Sequence, residues 1–246
     1  MDLGISRKIV LVSGAGANLG RELALTFSRE GANLALCGQY DEAGLAETRK
    51  LVEANGVKAV SALLNIADSG AVRKFVTHIE ETLGTVDVLV NNAVRRASSG
   101  EAWSAEGYEA AFAASVVGPF NLCAATVPRM KDQGWGRILT FAGIGAFLGH
   151  GAVRASSKMA TVGFTRWLAA ELGPFGVTAN CIAPGVMETQ RSQPLSEACL
   201  KDEARRSIPR RGSPSEVAAL AAFLSSDQAS YITGQCVHIN GGAYYA

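Results

Sequence analysis

The chain has 246 residues, of which 48% are hydrophobic and 18% charged, a composition typical of a folded domain with a large core. Its 23 basic and 22 acidic side chains nearly cancel, whereas nucleic-acid binders usually carry a basic excess, so we expect no nucleic-acid partner. The N-terminus lacks the pattern of a signal peptide, and no run of about 18 apolar residues predicts a membrane-spanning helix. The five cysteines lack metal-like spacing, so we expect free thiols, no metal site and a cytoplasmic protein.

Seven short apolar runs alternate with amphipathic stretches along the chain. These runs begin near Lys8, Asn33, Val57, Val86, Arg137, Val177 and Cys236. Asp68 is placed to cap one of the intervening helices, and Ser213 and Glu216 form the pattern of a capping box before another. Apolar strands separated by helices are typical of a parallel sheet covered on both faces. We therefore predict one doubly wound Rossmann-type α/β domain over residues 1–246, with seven parallel strands and helices on both faces.

Residues 190–211 interrupt this alternation. The segment is polar and charged and contains Pro194 and Pro209. It follows the end of a predicted strand, where α/β sheets place their ligands. The segment is therefore either a flexible flap over a site or a solvent-exposed insertion.

A glycine-rich loop, Ser13 to Gly20, follows the first predicted strand and opens a helix. Glycines at Gly14, Gly16 and Gly20 let the backbone turn tightly and approach a pyrophosphate, which a helix N-terminus attracts. Further motifs follow in chain order: Asn91-Asn92-Ala93, Lys158, Asn180 to Gly185, Ile208 to Gly212, and Ile232 to Gly242. Together these motifs resemble the short-chain dehydrogenase/reductase (SDR) family, from the first strand to the C-terminus.

The resemblance implies oxidation of an alcohol or reduction of a carbonyl with NAD or NADP, usually in a homotetramer. In that family a Tyr exchanges the proton, and a Lys four residues later lowers the pKa of the Tyr. A Ser holds the carbonyl oxygen, and an Asn on a preceding helix completes a water relay. This arrangement is general acid/base catalysis beside hydride transfer.

Three of these four catalytic positions are altered in this chain. Lys158 is present, but the Tyr position is Arg154, whose guanidinium stays protonated at any working pH. Gly143 lies near the Ser position, and Ser115 stands where the family has Asn. Loss of a positioned general acid alone slows a reaction by ~10²–10⁴-fold. Lys158 is thus expected to be vestigial unless its neighbours supply a different chemistry.

The dinucleotide side of the predicted site is altered less. Asn18 takes the place of the second glycine of the loop, Gln39 replaces the expected acidic or basic residue after the second strand, and Asn65 replaces an Asp near adenine. The remaining expected contacts match the family and are Gly14, Gly16, Gly20, Asn91, Ala93, Gly185 and Thr189. Binding of NAD or NADP and loss of that binding both remain open.

Three functions fit this pattern. The first is a non-catalytic subunit that supports a competent SDR paralogue in a hetero-oligomer, such as a hydroxyacyl-CoA dehydrogenase, with an acyl thioester as the small-molecule substrate. The second is an active oxidoreductase in which His150 exchanges the proton while Arg154 and Lys158 stabilise an oxyanion. The third is a sensor of an anionic ligand, held by Arg95 and Arg96 together with the cations of the former catalytic site.

Overall fold

The computed structural model describes residues 2–95, 103–190 and 206–245. Its centre is a parallel sheet of seven strands in the order β3-β2-β1-β4-β5-β6-β7. The strands are β1 (Ile9–Ser13), β2 (Asn33–Gly38), β3 (Ala59–Leu63), β4 (Val88–Asn91), β5 (Gly136–Phe141), β6 (Val177–Pro184) and β7 (Cys236–Ile239). All seven predicted strands are present, with three of them starting one or two residues later than the sequence indicated. The predicted fold class is therefore confirmed.

Helices occupy the connections between the strands. They are α1 (Asn18–Arg29), α2 (Glu42–Glu53), α3 (Ser69–Thr82), α4 (Ala105–Phe112), α5 (Gly118–Gln133), α6 (Ile144–Phe147), α7 (Ala152–Leu172) and α8 (Pro214–Leu224). A π-helical segment, Ala113–Val117, joins α4 to α5. The predicted capping residues act as expected, because Asp68 accepts hydrogen bonds from two backbone amides of α3 and Ser213 forms a capping box with Glu216 at α8.

The two faces of the sheet bury separate hydrophobic clusters. Val10 and Val12 of β1 point to one face, where they pack with residues of α1, α2 and α8. Ile9 and Leu11 point to the other face, which α3, α5 and α7 cover. Because side chains alternate along a strand, a strand that is apolar at every position contributes side chains to both clusters. This alternation is why the sequence showed continuous apolar runs.

The strand order reverses between β1 and β4, since the chain moves from β3 back across the sheet to β4. A crevice forms at the carboxyl ends of the strands at such a reversal, and ligands of open α/β sheets bind there. The glycine loop follows β1 directly, Ser115 lies in the connection that follows β4, and Gly143 and Arg154 follow β5. The fold thus brings both sets of residues to one edge of the sheet.

The segment Ala105–Gln133 is long and apolar enough to cross a bilayer by length and composition. The sequence contains no unbroken apolar run here, because polar residues such as Ser115 and Asn121 interrupt it, so no spanning helix was predicted. In the structure Leu122, Cys123 and Met130 of this segment are buried in the cluster shared with α3 and α7. Its apolar character is accounted for in part by packing on the sheet.

The predicted flap lies largely outside the described residues, which leave out 191–205. Both described ends of the 190–211 segment are tied to the domain. The amide of Gln190 donates to Asn18, and the amide of Ile208 donates to the carbonyl of Gly241. Arg210 forms two hydrogen bonds with the carboxylate of Glu216. The flexibility of the segment stays a prediction.

Gly20 provides a test of the packing between α1 and the glycine loop. A Cβ at Gly20 would lie 1.9 Å from the carbonyl oxygen of Gly14, so the helix would have to move. We expect Gly20→Ala to lower the free energy of unfolding by about 2–3 kcal/mol, as overpacking does. Gly38→Ala is the matched control, because its Cβ would meet nothing within 4 Å. Urea denaturation measures both, and equal stabilities of the two variants would contradict this packing.

Candidate functional site

The glycine loop is fixed by the end of the neighbouring strand β4. The side-chain amide of Asn92 donates hydrogen bonds to the carbonyls of Ser13 (3.0 Å) and Gly14 (3.2 Å). Gly14 has a φ of +69°, and a Cβ there would lie 2.9 Å from Cα of Ala93. Any side chain at Gly14 would collide with the backbone of Ala93, so the close packing of the loop on the end of β4 requires a glycine at this position.

Asn18 gives the loop a side chain at the predicted position of a glycine. Its φ is +51°, a left-handed conformation that Asn tolerates better than most residues. Its side-chain oxygen Oδ1 accepts a hydrogen bond of 2.8 Å from the backbone amide of Gln190. Asn18 and Gln190 line a cleft of about 450 Å³, together with Thr189. Two of the predicted cofactor contacts, Asn18 and Thr189, thus line the same cleft, and their role in binding stays a prediction.

The end of β2 lacks the groups that usually select a nucleotide. Gln39 is exposed, and so is Tyr40 after it. The following carboxylate, Asp41, caps α2 by accepting the backbone amide of Gly44 at 2.8 Å. Asn65, at the end of the next strand, uses its side-chain oxygen to accept the amide of Ala67 within its own loop. The described residues that directly end and follow β2, Gly38, Gln39 and Tyr40, thus carry neither a carboxylate nor a guanidinium group.

The catalytic corner forms where β5 ends against α7. The Nζ atom of Lys158 donates a 2.7 Å hydrogen bond to the main-chain carbonyl of Phe141, the last residue of β5. The pKa of Lys158 is lowered to about 8, chiefly by burial; Cys181 opposes this shift, and the nearby charge of Arg154 adds to it. A lysine at this pKa is partly neutral near physiological pH.

Arg154 projects over α6 in the place predicted for the proton donor. Both Arg154 and His150 lie beside Gly145 of α6. A Cβ added at Gly145 would lie 3.1 Å from Cδ of Arg154 and 3.6 Å from Cβ of His150. Arg154 and His150 are both exposed. Gly143 opens α6 with a φ of +109° and presents no side chain. The structure therefore brings Arg154, His150, Gly143 and Lys158 into one region, as predicted, without a hydroxyl at the Ser position.

Ser115 lies in the π-helical segment and is buried. Its main-chain carbonyl accepts a 3.4 Å hydrogen bond from the hydroxyl of Thr161 on α7. Single π-helical turns are common at functional sites, because they turn a backbone carbonyl out of the helical ladder. The backbone geometry of the relay position is therefore present, while the Asn side chain is not.

Two contacts of buried groups near the site were not predicted, although Asn91 itself was expected to contact the cofactor. Asn91 donates to Sγ of Cys123 at 3.7 Å, and its side-chain oxygen is buried without a partner among the described residues. Cys181 faces Cys236, because β6 and β7 pair in parallel at these residues. A hydrogen bond from Cys236 lowers the pKa of Cys181, and Thr140, the amide of Ala142 and the charge of Lys158 act in the same direction. Strand register decides this pairing, so sequence spacing alone gave no signal for it.

The anionic-ligand hypothesis places Arg95 and Arg96 beside the cations of the former catalytic site. The guanidinium of Arg95 donates to the carbonyl of Gly107 on α4 at 3.3 Å. Arg96 lies outside the described residues. The convergence of these arginines on a ligand stays a prediction.

The residues of this site fit a dinucleotide poorly at two points. The side chain of Asn18 is bonded across the cleft, and the end of β2 offers no ribose-selective group. The glycine turn, Gly185 and Thr189 remain in place. Gly185 is held by a 2.9 Å hydrogen bond from its amide to Ile239, and a Cβ there would lie 2.8 Å from Cα of Asn240.

Comparison with known proteins identifies the relatives of this architecture. The sequence profile of a family described as enoyl-(acyl carrier protein) reductase matches residues 14–244. The 3-oxoacyl-(acyl-carrier-protein) reductase FabG of Aquifex aeolicus is 33% identical over 249 residues, which cover 99% of this chain and 100% of that protein. FabG of Staphylococcus epidermidis is 33% identical over 244 residues, covering 96% of this chain and 99% of that protein.

Solved structures agree with these sequence matches. L-sorbose reductase from Gluconobacter frateurii, complexed with NADPH and L-sorbose, superimposes with a TM-score of 0.90 at 27% identity and covers 100% of both chains. NAD⁺-bound xylitol dehydrogenase gives a TM-score of 0.90 at 27% identity and covers 97% of this chain and 99% of its own. Two structures of this fold thus carry nicotinamide dinucleotides of both kinds.

The pKa of Lys158 gives a test of the catalytic corner. We expect its methylated amine to titrate near pH 8 in carbon NMR spectra of the reductively methylated protein, with the signal assigned by its loss in Lys158→Arg. Arg154→Gln is expected to move this midpoint upward, because it removes a positive charge. Since the folded-state pKa lies below the ordinary lysine pKa of 10.5, the unfolded chain binds more protons between pH 8 and 10.5. Lys158 therefore makes the free energy of unfolding rise with pH over this interval. A midpoint near 10.5 would contradict the buried environment.

Proposed function

This chain belongs to the short-chain dehydrogenase/reductase family, and from its altered catalytic corner we propose that it is a non-catalytic subunit supporting a competent SDR paralogue. The proposal depends on one observation: Arg154 occupies the position of the proton-donating Tyr, one helical turn from Lys158. An arginine has no accessible neutral form, so it cannot give a proton to an alkoxide and take it back. The missing hydroxyl at Gly143 removes the group that would hold the carbonyl oxygen.

The former catalytic lysine has a structural role in this proposal. Lys158 satisfies the carbonyl at the end of β5 with its ammonium group, and the bond connects α7 to the sheet. A carbonyl buried without a partner would cost about 1–3 kcal/mol. Lys158 therefore contributes to packing even where no proton is exchanged.

A face of α5 and α7 offers a surface for the paralogue. We define this apolar face by Val117, Phe120, Met159, Phe164 and Trp167. Phe120 and Trp167 are 52% and 54% exposed, although both are large apolar side chains. Phe164 contacts both rings, at centroid distances of 6.2 Å to Phe120 and 5.9 Å to Trp167. Contiguous exposed apolar surface of this kind marks association sites, so we assign the paralogue to this face; a homotetramer is the alternative assembly.

Acyl thioesters are the substrate class that we propose for the complex. The family profile and the FabG relatives are all described as reductases that act on acyl carrier protein thioesters. A 3-hydroxyacyl-CoA and the 3-oxoacyl-CoA formed by its oxidation are the corresponding thioesters of CoA. The nicotinamide dinucleotide, NAD or NADP, would be held by the paralogue, and the complex would work in the cytoplasm, where the free thiols of this chain stay reduced.

An active oxidoreductase with different acid/base residues is the second candidate, and one observation favours it. In this candidate His150 exchanges the proton, while Arg154 and Lys158 stabilise an oxyanion. His150 is exposed beside α6, where a substrate could reach it. The active FabG relatives are compatible with this candidate as well as with the first.

Steady-state assays separate the two candidates. We expect this chain alone to show no turnover with NADH or NADPH and a 3-oxoacyl thioester, while its complex with the paralogue is active. In that complex, Arg154→Ala and His150→Ala should each change kcat by less than about twofold, because neither group exchanges a proton, whereas loss of a working general acid costs ~10²–10⁴-fold. Turnover by the chain alone that falls by such a factor in either variant would establish the second candidate.

A charged residue placed in the apolar face tests whether the paralogue binds there. We expect Trp167→Glu to abolish the complex with the co-expressed paralogue, because it buries a carboxylate in an apolar contact. Tyr40→Glu is the matched control, since Tyr40 is 85% exposed at the end of β2, away from α5 and α7. Size-exclusion chromatography with light scattering measures assembly. A complex of unchanged mass with Trp167→Glu would place the interface elsewhere.

A further inference from the structure

The cleft above the glycine loop is bridged by the chain itself. The bond from the amide of Gln190 to Oδ1 of Asn18 joins residues 172 positions apart in sequence. Asn18 follows β1 and Gln190 follows β6, and these strands are separated in the sheet by β4 and β5. The bond therefore connects the two sides of the crevice in which a dinucleotide would bind.

Asn18 is able to make this bond because of its backbone conformation. It is the first residue of α1, and its φ of +51° keeps the tight turn that a glycine would make. A glycine at this position would project no atom into the cleft, whereas the Asn side chain extends to Gln190. The substitution thus preserves the loop and adds an acceptor oxygen within the cleft.

The donor that Asn18 satisfies is of the kind that binds phosphate. Backbone amides at a helix N-terminus or a loop end attract anionic oxygens because their dipoles point outward. The N-cap residue of α1, Ala17, has no side chain to accept the first amides of the helix, so that end of the cleft keeps its attraction for an anion. Asn18 supplies a neutral oxygen from the protein to the opposite side of the cleft, at Gln190.

Arg21 is the cation beside this bond, and its charge is not directed to a ligand in the cleft. Arg21 lines the cleft, but its guanidinium donates to the carbonyl of Gly16 at 2.8 Å and to the hydroxyl of Thr48 at 3.0 Å. It also forms an ion pair of 2.7 Å with Glu47. The charge of Arg21 is thus directed toward α2 and away from a ligand between Asn18 and Gln190.

We infer that Asn18 is the residue that sets the dinucleotide affinity of this chain, acting as an internal ligand that occupies the Gln190 amide in place of a pyrophosphate oxygen. The inference extends the proposed function and rests on it for its biological role. It explains how the chain keeps the two sides of the cleft together without NAD or NADP. The dinucleotide must break this bond to enter, and its affinity falls accordingly.

Replacing Asn18 tests the inference directly. We expect Asn18→Gly to bind NADH or NADPH at least about fivefold more tightly than the parent chain, because one competing hydrogen bond is removed. Asn18→Asp is the matched control, since it keeps an acceptor oxygen at the same place and should bind no more tightly than the parent. Titration calorimetry of the purified chain, with each nucleotide taken to millimolar concentration, measures these affinities.

Amide hydrogen exchange reports the bond without any nucleotide. The Gln190 amide should be protected in the parent and in Asn18→Asp, and should lose that protection in Asn18→Gly. An unprotected Gln190 amide in the parent would overturn the inference. So would micromolar affinity of the parent for NADH or NADPH, or a folded Asn18→Gly variant that binds no more tightly than the parent.

The failure of this inference is distinguishable from failure of the proposed function. Tight dinucleotide binding by the parent without turnover would remove the role of Asn18 and leave the non-catalytic subunit intact. Turnover by the parent alone would overturn the non-catalytic role, whatever the Asn18 variants bind.

Discussion

The close approach of α1 to the glycine loop is the contact on which the rest of this site depends. Gly20 lets the first turn of the helix lie against the carbonyl of Gly14, and Asn92 holds that loop to the end of β4 through two hydrogen bonds. Because β4 is the neighbour of β1 at the reversal of strand order, this contact sets the position of the crevice. The helix N-terminus that faces the crevice and the strand ends that line it are positioned by the same few atoms.

The residues that support the fold and those that would perform hydride-transfer chemistry are separable in this chain. Lys158 shows how one residue can serve both needs: its ammonium group binds the end of β5 whether or not a proton acceptor stands beside it. Arg154 and Gly143 are different, because the sheet and the helices do not require a phenol or a hydroxyl at those positions. These positions instead carry a guanidinium group and no side chain, where the family resemblance implies a phenol and a hydroxyl.

The cleft shows the same separation on the nucleotide side. The glycine turn persists because Asn18 adopts the left-handed conformation that the turn requires. What changes is the identity of the atom that meets the Gln190 amide, which is a side-chain oxygen of the protein. A substitution that is conformationally mild can therefore alter the ligand chemistry of a cleft, since the affected donor lies on a distant segment of the chain.

The sequence by itself determined the fold and the identity of the altered positions. Seven apolar runs with helical stretches between them allow few arrangements other than a parallel sheet, and caps such as Asp68 and Ser213 are local signals that act within three residues. The absence of a Tyr at Arg154 is a property of the sequence alone. The tertiary structure decided which distant groups meet: Asn18 with Gln190, Cys181 with Cys236, and Arg95 with Gly107. These contacts depend on strand order, strand register and the direction of long side chains, which local patterns do not encode. The burial that lowers the pKa of Lys158 likewise arises only when α7 packs on the sheet, because desolvation is a property of the assembled surroundings.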